Sequence, residues 1–412
     1  MKVDIDRLMQ KYDLDAILIT GPAQHNPAMT YLAGIAHVTA ADLIKKRGCA
    51  PVLFYNPMER EEAAKTGLIT KNLSDYHFQD LLKQTNNDYL KALVLRYKQM
   101  LNEFGVNSGR VALYGAVELG SAFALFNALQ ESTPEITMVG EVNNSMLMEA
   151  MATKDDDEVE HVRHMGKITV EVVSRVANLL TSLPVKNDTL IKPDGNPLTI
   201  GDVKRNINLW LAEMGAENPE DTIFAIGHDA AVPHSTGTNS DTLRLGQTIV
   251  FDIFPCEAGG GYFYDFTRTW CLGYAPDEAL ELYEDVLWVF NKLKESFTLG
   301  AYCPEYQKQT CEYFEAKGHP SIESNSQTEA GYVHSLGHGV GLNIHERPWF
   351  GKNAPPDEVI QPGSVFTCEP GLYYPERNLG VRIEDTFWAR PDGKIETLVE
   401  YPVDLVLPVK TK

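Results

Sequence analysis

The chain has little positive charge for its size. It carries 36 lysine and arginine residues against 57 aspartate and glutamate residues, which gives a net charge of −21. Proteins that bind nucleic acids need basic side chains to neutralise phosphates, so this balance argues against a nucleic-acid partner. It argues equally against an anionic membrane surface. The sequence also lacks any apolar run close to the roughly 20 residues that span a bilayer.

Several common motifs are also missing. The six cysteines include no C-x-x-C pair, which disfavours a structural zinc site or a disulfide framework and favours reduced thiols. There is no phosphate loop and no G-x-G-x-x-G. Position 349 is Trp349, so His345-Glu346 does not begin the H-E-x-x-H motif of a zinc-protease helix. The first residues are charged and do not form a secretory signal. We therefore expect a cytoplasmic protein.

The length predicts two domains, because 412 residues are too many for one compact core. Residues 1–150 alternate short apolar runs with helical stretches, which predicts an α/β domain. The strands predicted in it are 16–20, 51–55 and 110–114. Residues 151–412 open with apolar residues at helical spacing, which predicts a long amphipathic helix. Thr153 and Asp156 predict the capping box of that helix.

Four acidic residues interrupt apolar strands in the second domain, and they come in two pairs. Asp252 and Asp265 lie on predicted strands that flank a triple-glycine turn, which indicates a β-hairpin. Glu369 and Glu384 lie on a second predicted hairpin. The sequence Pro370-Gly371 should end the first strand of that hairpin and fix Glu369 at its tip. Each hairpin therefore carries two carboxylates.

Carboxylates in apolar surroundings repel one another and are costly to desolvate, so a group of four needs positive charge from elsewhere. Bound metal is the usual source, and four carboxylates exceed the needs of one ion. Glycines around His338 would let the backbone approach closely, which favours this histidine as a further ligand. One imidazole with four carboxylates suits two divalent ions. Mn²⁺ fits such an oxygen-rich site best, and Co²⁺, Zn²⁺ or Fe²⁺ would also fit.

The motifs around these residues resemble those of the pita-bread metallopeptidases, a family that includes aminopeptidase P, prolidase and methionine aminopeptidase. They occur in the same order between residues 222 and 386. They are Pro233-His234-Ser235, His334-x-x-Gly337-His338-Gly339-x-Gly341, His345-Glu346-x-Pro348, Glu369-Pro370-Gly371 and Val381-Arg382-Ile383-Glu384-Asp385. The additional N-terminal domain favours the Xaa-Pro branch, which comprises aminopeptidase P and prolidase, over methionine aminopeptidase.

The resemblance implies a fold and a set of roles. The fold would be a creatinase-like α/β domain over residues 1–150 and an α+β pita-bread catalytic domain over residues 151–412. The metal ligands would be Asp252, Asp265, His338, Glu369 and Glu384, with Asp265 and Glu384 bridging two ions. Glu369 would also accept the proton of the nucleophilic water. The groups that bind the scissile carbonyl would be His234 and His345, and the residues lining the site would be His334, Tyr373 and Arg382.

The reaction implied by the resemblance is hydrolysis of an Xaa-Pro bond by attack of a metal-bridging hydroxide. The substrate would be a proline-containing peptide, cleaved at its N-terminus, or an Xaa-Pro dipeptide. The resemblance also suggests a homodimer or homotetramer. Two alternatives remain open: a hydrolase or lyase of a small non-peptide substrate on the same fold, and a binding module with an inactive site. The intact set of ligand residues argues against the second.

This sequence departs from the family pattern in two places. The step from Asp252 to Asp265 is thirteen positions, which is longer than is common in the family. Phe254-Pro255 also stands where members usually have a glycine. The turn of the first hairpin is therefore expected to bulge. Ser335 replaces a second common glycine, a change that we expect the site to tolerate.

Overall fold

The computed structural model describes residues 4–409, apart from the side chain of Asn144. These residues form two compact units, described separately below. The first unit runs to Met151 and takes in Gly259–Gly261, and the second unit begins at Ala152 and comprises the rest. None of the helices in the described residues has the length and apolar character that a bilayer crossing requires.

The first unit alternates helices with the strands of one sheet. Its helices are α1 (Ile5–Lys11), α2 (Pro27–Ala33), α3 (Arg60–Lys65), α4 (Phe78–Gln84), α5 (Tyr89–Glu103), α6 (Leu119–Ser132) and α7 (Ser145–Met151). Its strands are β1 (Ala16–Gly21), β2 (Ala41–Lys46), β3 (Val52–Tyr55), β4 (Ile69–Asn72), β5 (Gly109–Gly115) and β6 (Ile136–Val139). The sheet order is β4-β3-β2-β1-β5-β6. Strand β2 is antiparallel to both of its neighbours, so the sheet is mixed.

The three strands predicted in this unit are confirmed as β1, β3 and β5. Strand β2 lies between two of them and was not predicted, because it carries charged residues that suggest an exposed segment. The structure gives those charges partners inside the unit. Asp42 accepts a hydrogen bond from the Tyr97 hydroxyl at 2.6 Å, and the buried Lys45 forms an ion pair with Asp6. Tertiary partners thus stabilise a strand that its own composition disfavours.

The second unit opens with the predicted long helix and contains three others. They are α8 (Asp156–Ser182), α9 (Ile200–Glu213), α10 (Asp277–Ser296) and α11 (Cys303–Ala316). The predicted cap of α8 is wrong, because the capping box joins Asp155 to Glu158 rather than Thr153 to Asp156. Further along α8, Gly166 lets a neighbouring segment approach: a Cβ there would lie 2.6 Å from the Tyr264 ring. Helix α8 therefore packs directly behind the residue that precedes Asp265.

The strands of the second unit are short and form several small sheets. They are β7 (Val185–Lys186), β8 (Thr189–Leu190), β9 (Ala216–Glu217), β10 (Ile223–Ile226), β11 (Thr248–Ile253), β12 (Cys256–Glu257), β13 (Phe266–Leu272), β14 (His338–Gly339), β15 (Glu346–Trp349), β16 (Val365–Cys368), β17 (Gly371–Tyr374), β18 (Leu379–Arg382), β19 (Asp385–Ala389), β20 (Ile395–Thr397) and β21 (Val406–Leu407). The two larger sheets have the orders β10-β11-β13-β21 and β15-β14-β16-β19-β20.

Helices α10 and α11 cover the apolar side of the second of these sheets. The core there contains a group of aromatic rings packed around Phe297. Its ring centroid lies 5.2 Å from that of Phe366 and 5.6 Å from that of Phe387, distances typical of stabilising edge-to-face contacts. The strand residues that alternate with this core face away from it. Glu369 and Glu384 flank the paired ends of β16 and β19, at the edge of this rigid support.

Candidate metal centre

The first predicted hairpin is present, and its register places its two aspartates on one face. Strands β11 and β13 are antiparallel, with Asp252 opposite Thr267. Asp265 lies two residues before Thr267, so its side chain projects to the same face. The chain between the strands includes β12, which pairs with β9 and also bridges back within the hairpin, with Cys256 opposite Phe263. Two residues on each strand separate this bridge from the Ile253–Phe266 pair. The predicted bulge is therefore wrong there, and the longer connection extends the hairpin instead.

The second hairpin consists of two ladders separated by an interruption. Strand β16 pairs with β19, and β17 pairs with β18. Between these ladders the strands are broken at Glu369-Pro370 on one side and at Ile383-Glu384 on the other. Proline has no N–H to donate, which explains a break at that point. The prediction that the strand ends there is wrong in part, because the chain resumes pairing at Gly371. Both glutamates occupy the interruption.

His338 lies in β14 between two glycines that neighbouring backbone approaches closely. A Cβ at Gly337 would lie 2.2 Å from the Thr367 carbonyl oxygen, and one at Gly339 would lie 2.0 Å from that of Arg347. The expected close approach is thus confirmed. The Nδ1 atom of His338 lies 3.0 Å from the Gly339 carbonyl oxygen, which assigns its proton to Nδ1. Its Nε2 atom therefore presents a lone pair to the carboxylates.

The carboxylates meet at this imidazole. The Nε2 atom of His338 lies 3.5 Å from Asp265 Oδ2 and 3.6 Å from Glu369 Oε1. Ligand atoms of Asp265, His338 and Glu384 all lie within 4.8 Å of one another, and the three residues are buried. One oxygen each of Asp252, Asp265 and Glu384 is buried without a hydrogen-bond partner. Such oxygens are costly unless a cation binds them, so these residues fit a divalent metal ion.

The pKa values of the buried carboxylates also favour a bound cation. Burial raises the pKa of Asp265 and of Glu384 well above the usual carboxyl range, and neighbouring carboxylates raise both further. Burial also raises the pKa of Glu369 to about 8, with Arg382 opposing and Asp252 adding to the increase. Without a cation, the three carboxylates are therefore unstable in their charged forms. A bound cation would favour the charged forms of all of these carboxylates.

A chain of hydrogen bonds leads from the carboxylate cluster to one side of the site. Arg382 Nη2 donates to Asp252 Oδ2 at 2.5 Å, and Arg382 Nη1 donates to the Tyr373 hydroxyl at 2.8 Å. The Tyr373 hydroxyl can then donate to His334 Nε2, which is 3.0 Å away. The Nδ1 atom of His334 donates to the Ser335 carbonyl oxygen at 2.7 Å. Burial lowers the pKa of His334 to about 3, with Arg382 adding to this effect, so the imidazole is neutral.

Two exposed histidines complete the predicted set. The ring centroid of His345 lies 4.3 Å from that of His338, in an edge-on arrangement. Partial desolvation of its imidazole is the main cause of the lowered pKa of His345; Glu220 opposes this effect and His234 adds to it. Arg382 Nη1 donates to the Pro233 carbonyl oxygen at 3.2 Å, which places the neighbouring His234 beside the hydrogen-bond chain. The structure therefore brings all of the predicted site residues together within the second unit.

Sequence reasoning missed the residues that hold the carboxylates in place. The Thr267 hydroxyl donates to Glu384 Oε2 at 2.7 Å. Arg268 is fully buried, and it donates to the Glu384 carbonyl oxygen and to Asp385 Oδ1, both at 2.8 Å. The Thr386 hydroxyl donates to the Asp265 carbonyl oxygen at 2.8 Å. The available signal was the polar run Thr267-Arg268-Thr269 in a strand whose other residues are apolar, the same kind of interruption that marked the acids.

The metal-free protein is expected to lose stability as the pH rises from 6.5 to 8. Glu369 has a pKa of about 8 in the folded chain and ordinarily 4.5, so folding retains a proton that the unfolded chain has released. Stability from such a group is lost as the pH rises towards the folded value. His334 and His338 oppose this only weakly, because their imidazoles are neutral in the folded chain and only half protonated at pH 6.5 in the unfolded chain. Thermal melts of chelated protein at the two pH values check this, with Mn²⁺-loaded protein as control. Equal midpoints for the chelated protein would contradict it.

Comparison with known protein families decides where this chain belongs. The sequence profile described as Metallopeptidase family M24 matches residues 160–391. The chain belongs to metallopeptidase family M24. The resemblance predicted from the motifs is thereby confirmed. The M24 chain is a metallopeptidase, and its family implies divalent metal ions as cofactors.

Two relatives of the M24 chain are both named Xaa-Pro dipeptidase. An Xaa-Pro dipeptidase from Pyrococcus horikoshii is 28% identical over 395 residues, an alignment that covers 94% of each chain. An Xaa-Pro dipeptidase from Pyrococcus furiosus is 33% identical over 193 residues, which is 47% of this chain and 51% of that protein. The M24 chain thus aligns with about half the length of the second relative and with nearly all of the first.

Solved structures resemble the M24 chain over almost its whole length. An X-Pro aminopeptidase from Thermotoga maritima has a TM-score of 0.74 at 21% identity, covering 97% of this chain and 99% of that one. An Xaa-Pro dipeptidase from Bacillus anthracis has a TM-score of 0.74 at 22% identity, covering 98% of each chain. At these identities the likeness shows the fold. The predicted α/β plus pita-bread architecture is confirmed.

Proposed function

We propose that this M24 chain is an Xaa-Pro peptidase with a two-metal site. It would hydrolyse the peptide bond that precedes proline, at the N-terminus of a peptide or in an Xaa-Pro dipeptide. The observation that carries the proposal is the set of unpartnered buried oxygens on Asp252, Asp265 and Glu384, next to the His338 imidazole. The substrate class is supported by relatives named Xaa-Pro dipeptidase and X-Pro aminopeptidase.

The proposed metal ligands are five side chains that the two hairpins and β14 bring together. They are Asp252, Asp265, His338, Glu369 and Glu384. Two divalent ions, with Mn²⁺ preferred, would supply Lewis acidity and would lower the pKa of a water molecule. Four carboxylates support two ions rather than one, because a single divalent ion would leave the cluster with excess negative charge.

Glu369 is the residue best placed to accept a proton from the attacking water. Its Oε1 atom lies 3.6 Å from His338 Nε2, and its Oε2 atom lies 3.9 Å from His334 Nδ1. The carboxylate therefore has one oxygen at the cluster and one turned away from it. Such a carboxylate can serve as a ligand and still take a proton, which it would return to the proline nitrogen as the C–N bond breaks.

The remaining polar residues would position the substrate. His345 and His234 are exposed, unlike His334, and are free to donate hydrogen bonds to the carbonyl oxygen as negative charge develops there. Tyr373 and Arg382 are held by the hydrogen-bond chain that ends at His334. These residues would therefore form a fixed wall of the site. A fixed wall limits the number of substrate orientations and lowers the entropic cost of reaching a reactive one.

Proline substrates suit a site of this kind for a chemical reason. The nitrogen of an Xaa-Pro bond carries no hydrogen, so peptidases that hold a substrate through that N–H group cannot use it. A site that activates water and polarises the carbonyl group does not need the N–H group. Proline's ring would instead contribute apolar contact, and the free amino group of the preceding residue would be attracted to the acidic cluster.

Replacing proline by alanine after the scissile bond is expected to lower kcat/KM by at least roughly tenfold, the effect of losing about 1.4 kcal/mol of pocket contact. The test uses matched peptides, Xaa-Pro-Yaa and Xaa-Ala-Yaa, with Mn²⁺ supplied. An N-acetylated Xaa-Pro-Yaa peptide is the second comparison, and its hydrolysis should be strongly reduced. Equal rates on the proline and alanine peptides, or no peptide hydrolysis by the metal-loaded protein, would overturn the proposed specificity in favour of a non-peptide substrate.

A further inference from the structure

A buried ion pair lies beneath the turn that carries His345. Glu346 and Lys154 have side chains 0% and 2% exposed, and Lys154 Nζ lies 2.6 Å from Glu346 Oε2. The other oxygen, Oε1, accepts hydrogen bonds from the backbone N–H of Asn343 at 2.9 Å and from its side-chain amide at 3.2 Å. Gly341 leaves room for the carboxylate, because a Cβ there would lie 2.4 Å from Oε2. One carboxylate thus ties the middle of the turn, at Asn343, to the residue that follows the turn.

Other contacts also hold the turn: Phe263 N donates to the Gly341 carbonyl oxygen at 2.8 Å, and Leu342 and Ile344 are buried. Residues 341–345 belong to no strand or helix. Within the turn, Gly341 N donates to the Asn343 carbonyl oxygen at 3.1 Å. Neighbouring residues along an extended chain project to opposite sides, so Glu346 points inwards while His345 points out towards His338. The carboxylate of Glu346 therefore gives the segment that presents His345 a buried polar anchor at Asn343.

Stability alone is a poor explanation for such a pair. Desolvating two charges offsets most of their attraction, and apolar replacements of buried ion pairs are often neutral. A positional role accounts for the arrangement better, because a rigid acceptor can fix a turn that has little regular structure. In the arrangement observed, the ring centroid of His345 lies 4.3 Å from that of His338.

We propose that Glu346, supported by Lys154, is a positioning residue that holds the Gly341–His345 turn so that His345 stays beside the metal cluster. The kinetic part of this inference rests on the proposed function, since it takes His345 to contact the substrate. The structural part does not, because it concerns only where the His345 imidazole is held.

Two double variants separate support of the turn from loss of the ion pair. Both variants carry Lys154→Met. The glutamine variant adds Glu346→Gln and the methionine variant adds Glu346→Met, so each of them removes both charges of the ion pair. Only the glutamine can still accept the Asn343 N–H. The methionine variant is expected to lose about 10²-fold in kcat on an Xaa-Pro dipeptide with KM nearly unchanged, the effect of a misplaced catalytic group. The glutamine variant should recover most of that loss. In a His345→Ala background the two should no longer differ.

The His345 imidazole NMR signals of the Zn²⁺-loaded protein give a readout that does not depend on activity. They should form one sharp set in the wild type and the glutamine variant and become broad or multiple in the methionine variant. Glu358→Gln, which removes a charge from the nearby buried pair with Arg347, should leave them unchanged. Identical kcat values and signals for the two double variants would overturn the proposal.

Two further outcomes distinguish the role of Glu346 from the proposed peptidase function and from a failure of the variant to fold. A wild-type protein that does not cleave Xaa-Pro peptides would defeat the proposed function, and the NMR signals would still decide the position of His345. If the methionine variant does not fold, hydrogen exchange of the wild-type Asn343 amide decides instead. This amide should exchange slowly because a buried carboxylate holds it. Exchange as fast as in an exposed loop would contradict the support that we assign to Glu346.

Discussion

Chelation of divalent ions is expected to reduce peptide hydrolysis to background, and added Mn²⁺ or Co²⁺ is expected to restore it. The reason is that the unpartnered oxygens of Asp252, Asp265 and Glu384 cannot polarise a carbonyl group or activate water by themselves. The measurement is the rate of proline release before chelation, after chelation and after metal is returned. Affinity for the metal should also fall in acid, because protons compete for the same ligands.

A matched pair of variants tests whether the restored activity depends on this cluster. Asp265→Asn removes a carboxylate 3.5 Å from His338 Nε2, and Asp285→Asn removes one 3.0 Å from His319 Nε2, outside the cluster. Metal restoration should fail for the first variant and succeed for the second. Full activity in chelated wild-type protein would show that the chemistry does not depend on metal at all.

Glu369→Gln is expected to lower kcat by about 10²–10⁴-fold, the range for removing a general base. Glutamine keeps the size and shape of the side chain, but it cannot take a proton from water. The change also removes one negative charge from the cluster, so the metal content of the variant must be measured beside its kinetics. Steady-state rates on an Xaa-Pro dipeptide give the comparison.

Glu376→Gln is the control for this variant, because Glu376 lies in the same hairpin but is exposed. Its kcat should remain at the wild-type value. Wild-type kcat in Glu369→Gln, with the metal bound, would show that another group accepts the proton. Loss of both metal and activity would show that Glu369 is required as a ligand.

The two hairpins could be predicted because their acids stand out against apolar strands. Asp252 lies between Phe251 and Ile253, and all three residues belong to β11. Such a pattern is stable only if the carboxylate has a partner, and so it indicates a site as well as a strand. The glycines around His338 were informative for a similar reason, since each of them is required by a close backbone contact.

Other features depend on contacts between residues far apart in the sequence. The break in the second hairpin follows from Pro370, but the sequence does not show that pairing resumes at Gly371. Arg268 donates to the carbonyl oxygens of Pro402 and Tyr401, more than 130 positions away. No local pattern predicts such partners. The roles assigned to individual site residues stay predictions, although the structure places those residues together.

Anomalous X-ray diffraction from crystals of the Mn²⁺-loaded protein tests the two-metal site most directly. The account predicts two manganese peaks about 3.5–4 Å apart, both among the side chains of Asp252, Asp265, His338, Glu369 and Glu384. It also predicts that the carboxylates of Asp265 and Glu384 lie between the peaks. A single peak, or peaks remote from the Nε2 atom of His338, would contradict it.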